Sequence, residues 1–159
     1  MVHQMSDLSD ILTLEAVDAD LVASNKKGLF QQLGAAAARQ TGLPAKEIAS
    51  CLSAREKIGS TGFGGGTAIP HGKLEGLDRV YGYFARLVQP VDFQAIDNMP
   101  VDLVFLLLSP HDAGADHLKA LATVSRVFRD KAVVAKLRGA RSKDALFALL
   151  AGVDARDAA

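Results

Sequence analysis

Between Val101 and Leu108 the chain carries a single polar residue, Asp102, and this run leaves few architectures open. A strand that is apolar on both sides must be covered on both sides, so it reads as the centre of a sheet rather than its edge. Its strictly apolar part, Leu103 to Leu108, is six residues. That is far below the roughly 20 residues needed to cross a bilayer as a helix. A second strand is predicted over Val80–Val88, and Gln89-Pro90 and Ser109-Pro110 are expected to close the two runs.

Helical periodicity surrounds these strands. Asn25 to Gln40 reads as a helix capped by Asn25 or Ser24, with Leu29, Leu33, Ala36 and Ala37 on one face. Gly42-Leu43-Pro44 breaks it, and Pro44 suits the first turn of a second helix running to about Lys57. Asp116 to about Asp130 is predicted helical, with Leu118, Leu121, Ala122, Ser125 and Phe128 on one side. Shorter helices are expected over Ala132–Leu137 and Lys143–Leu150. Helices on both sides of a buried strand group imply a three-layer α/β domain. No repeat or linker divides the 159 residues, so one domain over residues 8–150 is expected. Residues 1–7 and 151–159, with few apolar anchors, are expected to be flexible tails.

Charge and cysteine content narrow the function classes. Eighteen basic residues balance eighteen acidic ones, which leaves no electrostatic footprint for nucleic acid or an anionic membrane. Cys51 is the sole cysteine, so neither an intrachain disulfide nor a thiolate metal cluster can form. The opening residues lack the basic start and apolar stretch of a signal peptide, and a cytoplasmic location is expected.

Chemistry concentrates between Arg55 and Lys73. Five of the 14 glycines lie from Gly59 to Gly66, a stretch expected to be irregular, where they let the backbone approach a ligand and turn N–H groups toward it. Ser60 and Thr61 add hydroxyls, and Arg55 adds a permanent cation whose fork suits phosphate oxygens. The set fits an oxyanion, most naturally a phosphoryl group. It is neither a P-loop, because Gly65 and Gly66 stand where Lys and Ser/Thr are required, nor a dinucleotide fingerprint, because Thr67 replaces the third glycine. No carboxylate cluster suited to Mg²⁺ accompanies it.

His71 sits between Pro70, which biases Ile69 toward extended geometry, and Gly72, which leaves room beside the ring. An imidazole held this way can be a nucleophile through one nitrogen if the other donates to a carbonyl or water. Taken alone, Pro-His-Gly favours a histidine that merely caps a strand end. His117 falls in the first turn of its predicted helix, on or beside the buried face, and periodicity alone favours a helix-terminal histidine without function. His111 reads as a solvated loop residue, and His3 belongs to the expected tail. A metal site from His71, His117 and His111 has no local His-x-x-x-His or acidic partner to support it.

Several segments together change the weight of these readings. Arg55-Glu56, Gly59-Ser60-Thr61-Gly62, Ala68-Ile69-Pro70-His71-Gly72-Lys73 and the stretch Phe93 to Leu103 (Phe-Gln-Ala-Ile-Asp-Asn-Met-Pro-Val-Asp-Leu) occur in this order. In them the chain resembles the fructose/mannitol-type enzyme IIA domains of the bacterial phosphotransferase system, in particular their nitrogen-regulatory branch, from about Leu8 to Leu150. The separations from Arg55 to His71 and from His71 to His117 agree with that family. The resemblance implies a three-layer sandwich with a mixed central β-sheet flanked by helices on both faces. It implies that His71 is phosphorylated, at Nε2, and that His117 and Arg55 line its site; the physical reading of the loop adds Ser60, Thr61 and Gly62 as residues expected to help hold the phosphoryl group. It implies a relay from phosphoenolpyruvate through enzyme I and an HPr-like carrier (NPr in the nitrogen branch), with no cofactor and no metal.

Downstream, that branch implies regulation of partners such as potassium transporters or sensor kinases, without nucleic-acid binding or membrane insertion. The alternative is a sugar-specific enzyme IIA passing phosphate to a IIB domain, and a third reading is a binding module that has lost phosphotransfer. Two departures stand out: Thr67 replaces a usual aliphatic, and Gly64-Gly65-Gly66 is unusually glycine-rich, which is expected to loosen the loop. Phe63 and Ile69 are expected to offer exposed apolar surface for the carrier.

Overall fold

The computed structural model describes residues 8–158, with side chains through residue 152. Two short 3-10 turns, Leu8–Asp10 and Leu14–Ala16, lead into β1 (Val17–Leu21). Helices α1 (Lys26–Thr41) and α2 (Ala45–Ile58) follow, then three very short strands: β2 (Gly62–Gly64), β3 (Thr67–Ala68) and β4 (His71–Lys73). The long strands β5 (Tyr81–Val91) and β6 (Val101–Ser109) precede α3 (Gly114–Arg129), α4 (Lys131–Gly139) and α5 (Lys143–Ala158).

The sheet runs β1-β5-β6-β3-β2, with β4 also pairing β6. It is mixed: β5 is parallel to β1 and antiparallel to β6, whereas β3 and β4 both run parallel to β6. Helices α1 and α2 pack together against β5 and β4, while α3, α4 and α5 form a second group against β6 and β1. The result is the expected three-layer sandwich with helices on both faces. At its centre every residue from Leu103 to Leu108 is completely buried. Among the described residues, no helix is long and apolar enough to cross a membrane.

Local signals explain most element ends. Asn25 caps α1 by accepting from Gly28 N at 2.7 Å, and Leu29, Leu33, Ala36 and Ala37 are buried as their spacing requires. Gly42 closes α1 at φ 78°, the left-handed conformation that favours glycine. Pro44 stands immediately before α2 rather than inside its first turn. Asp130 both ends α3 and caps α4 through Ala132 N and Val133 N.

Five further expectations need correction. The Gly59–Gly66 segment is not wholly irregular: β2 and β3 make an antiparallel hairpin through it. Its turn, with Gly64, Gly65 and Gly66 at φ 105°, 65° and 81°, is pinned rather than loose, because Gly65 N donates to Asp97 and Gly65 O accepts from Arg138. Strand β5 runs through Pro90 to Val91, because the register with β6 shifts between Arg86 and Val91 and the exposed proline needs no ladder partner there. In α3 the buried face is His117, Ala120, Val124 and Val127, so Leu118 is 66% exposed and Ala122 is exposed too. Finally α5 continues past Leu150 to Ala158, since Gly152 alone does not stop a helix without a following proline. Residues 1–7, expected as a tail, lie outside the described residues.

Candidate functional site

Gly72 lets α2 lie against β4. A Cβ there would meet Cys51 Sγ at 2.4 Å, so only glycine accommodates this approach without a shift. One helical turn beyond Cys51, Arg55 then reaches the first residue of β4. Its Nε donates to His71 Nε2 at 3.3 Å, and its Nη1 donates to Gly59 O at 2.9 Å, closing the end of α2.

His71 is half-buried, and its other nitrogen, Nδ1, lies 2.7 Å from Ile69 O. A carbonyl can only accept, so Nδ1 carries the proton and Nε2 keeps its lone pair. Pro70, which biases Ile69 to extended geometry, thereby helps turn the carbonyl to its neighbour's ring. The ring of His117, carried on the first turn of α3, stands 5.7 Å from that of His71, centroid to centroid. It is 8% exposed, and its Nδ1 lies 2.6 Å from the Ser109 hydroxyl at the end of β6.

Burial pushes both imidazoles below the ordinary histidine value. At His71 the Ile69 carbonyl opposes the effect and the Arg55 guanidinium adds to it. At His117 the His71 ring and Lys73 add to burial. Both rings are therefore held neutral, which preserves the lone pair a nucleophile needs. A bare Nε2 flanked by a guanidinium and a second imidazole can accept an electrophilic phosphorus and offer cationic or N–H contacts to its oxygens.

The fold thus brings the sequence-predicted residues Arg55, His71 and His117 together. Ser60, Thr61 and Gly62 use their donors elsewhere: Ser60 Oγ donates to Phe93 O at 2.6 Å, Gly62 N to Ser60 Oγ at 3.0 Å, and Thr61 N and Oγ1 to Glu56. Glu56, given no role by sequence reasoning, is the clamp of this corner, since Lys26 Nζ also donates to it at 2.9 Å. Its position beside Arg55 was the available signal. Ser109 was legible only as the end of a strand, because its partner is eight residues away on another element.

His111 is exposed as expected. Thr67 is 1% exposed and donates to Gly64 O at 2.8 Å, so its hydroxyl is satisfied within the hairpin. Phe63 is 38% exposed, but Ile69, at 4%, is core and offers no docking surface. Among the described residues no group of three or more His, Cys, Asp or Glu side chains is placed to hold a metal.

The chain is 47% identical over 144 residues to a nitrogen regulatory protein of Bradyrhizobium diazoefficiens, covering 91% of this chain and 94% of that one. It is 40% identical to the nitrogen regulatory protein of Escherichia coli, covering 90% and 88% respectively. The crystal structure of nitrogen regulatory protein IIA-Ntr from Neisseria meningitidis superposes with a TM-score of 0.86 at 38% identity, over 90% of this chain and 98% of that one. Residues 10–152 match the family described as phosphoenolpyruvate-dependent sugar phosphotransferase system, EIIA 2, and the chain belongs to that family.

Proposed function

We propose that this protein is a regulatory phosphocarrier that takes a phosphoryl group on His71 Nε2 from an HPr-like phosphohistidine carrier, NPr, charged in turn by enzyme I. The observation that carries this reading is the hydrogen bond from His71 Nδ1 to Ile69 O, which leaves Nε2 as the ring's nucleophilic atom.

In the step, the Nε2 lone pair forms a bond to phosphorus as the bond from phosphorus to the donor nitrogen breaks. That electron pair stays with the donor ring, whose other nitrogen carries a proton, so a neutral imidazole departs and no proton need move. The His71 ring gains positive character as the bond forms, and the Ile69 carbonyl accepting from Nδ1–H stabilises it. Arg55 exchanges its hydrogen bond to Nε2 for one to a phosphoryl oxygen, and His117 stands ready for another. Ser60, Thr61 and Gly62 enter this scheme by shaping the loop through Glu56 and Phe93 rather than by donating their committed protons.

The added charge of about −1.5 to −2 then changes which partners bind, which is the regulatory output. Similarity to nitrogen regulatory proteins supports the regulatory branch, with potassium transporters or sensor kinases as partners in the cytoplasm. Incubation with phosphoenolpyruvate, enzyme I and the carrier should add one acid-labile phosphoryl group, read by intact mass, and none to His71→Ala. No addition from a carrier proven on another acceptor overturns the reading. Onward transfer to a sugar-specific IIB domain at a comparable rate would favour the transport alternative.

A further inference from the structure

Ser109 is completely buried at the end of β6, and His117 Nδ1, at 2.6 Å, is its hydroxyl's hydrogen-bond partner among the described residues. A hydroxyl has one proton to place and lone pairs to spare. Were Nδ1 protonated, it would donate to Oγ, and the Ser109 proton would be left buried without an acceptor, which is costly. With Ser109 donating to Nδ1, every group is satisfied and the proton of the neutral ring resides on Nε2. His71 is arranged the opposite way, with its Nδ1–H given to Ile69 O and Nε2 bare.

We propose that Ser109 is a positioning residue that fixes His117 as the Nε2–H tautomer, so that the two neighbouring imidazoles hold opposite tautomers, one a nucleophile and one a hydrogen-bond donor. The role of this donor rests on the phosphocarrier reading; the tautomer does not. A neutral donor beside the acceptor nitrogen binds a phosphoryl oxygen without repelling the proton-bearing His71 ring, as an imidazolium would. The main chain of Ser109 couples the two rings further, since Lys73 of β4 pairs with it in the sheet and Leu74 N donates to Ser109 O at 2.9 Å.

Long-range ¹H–¹⁵N correlation of the imidazole nitrogens in the intact protein, above the titration of both rings, tests this directly. The expected spectrum shows His117 with a bare Nδ1 and protonated Nε2, and His71 with the reverse. In Ser109→Ala the His117 preference should be lost while His71 keeps its own, and phosphorylation by the carrier should slow about tenfold. Ser109→Thr, which keeps the hydroxyl, should restore both. Protonated Nδ1 on wild-type His117, or an unchanged His117 tautomer in Ser109→Ala, overturns the proposal. The wild-type spectrum needs no variant to fold and no phosphoryl donor. The expected wild-type tautomers, with the His117 preference lost in Ser109→Ala, in a protein that the carrier cannot phosphorylate would therefore support Ser109 as the tautomer's determinant and overturn the phosphocarrier reading alone.

Discussion

At the scale of single residues, Arg55 serves two ends of one side chain. Nη1 closes the last turn of α2 on Gly59 O, and that anchor holds Nε against His71. A charge-assisted hydrogen bond of this type contributes about 1.5–3 kcal/mol. Arg55→Ala should therefore slow phosphorylation of His71 roughly 10- to 100-fold. Arg55→Lys, which keeps the charge and loses the fork, should recover only part of that rate. An unchanged rate in Arg55→Ala, measured by rapid quench, would remove the guanidinium from the step.

The site was unevenly legible at this scale. Arg55 stood out by its guanidinium beside the glycine-rich stretch, whereas His71 and His117 read alone as structural histidines, and only the resemblance to enzyme IIA domains drew them into one site; spacing put His117 on or beside the buried side of its helix. The partners that orient them did not. Ile69 acts through its carbonyl, which no side-chain pattern reveals, and Ser109 meets His117 only once β6 and α3 are folded together. Ser60 and Thr61 looked like free donors because the acceptors of their protons, Phe93 O and Glu56, are fixed by tertiary structure.

At the scale of elements, the contact between α2 and β4 sets the separation of Arg55 and His71. Gly72→Ala places a methyl against Cys51 Sγ, and overpacking of this kind costs typically 1–3 kcal/mol. Urea denaturation should show that loss, together with slower phosphorylation as α2 is pushed off the strand. Cys51→Ala in the same chain removes the opposing sulfur and should recover most of both. Equal instability in single and double variants would show that the thiol is not what Gly72 makes room for.

Long elements with strong patterns were readable: β6 from six consecutive apolar residues, α1 from its cap and its apolar face. Strands β2, β3 and β4 have three, two and three residues, too few for alternation to register, and glycines remove the side chains that would carry it. Leu118 misled the reading of α3, because a large apolar residue beside the true stripe rotates its apparent centre by one position; its exposure is 66%.

At the scale of the whole molecule, burial of two neutral histidines links the site to stability. The unfolded chain takes up protons on these rings near pH 6.5, whereas the folded protein resists until lower pH. Stability should therefore fall as pH drops from neutral through roughly 6.5, most steeply just below it. Urea midpoints at about pH 7.5 and about pH 5.5 would show this, with a smaller difference in a variant lacking both rings. An equal difference in that variant would assign the effect to other groups.

The exposed surface carries a second molecular-scale expectation. Phe63, on the β2–β3 hairpin, borders a groove with Met99, Phe128 and Val134, rimmed by Arg129 and Lys131. If the carrier docks there, Phe63→Ala should raise its KM for this acceptor about tenfold while leaving the fold intact. An unchanged KM would place the carrier's footprint elsewhere.

The most direct test of the phosphocarrier reading is the position of phosphorus on the ring. Phosphorylated protein, labelled with ¹⁵N in its histidines, can be read for ³¹P–¹⁵N coupling. Coupling to Nε2 of His71, with Nδ1 still protonated toward Ile69 O, is the predicted result. Coupling to Nδ1, or to any other residue, would contradict it.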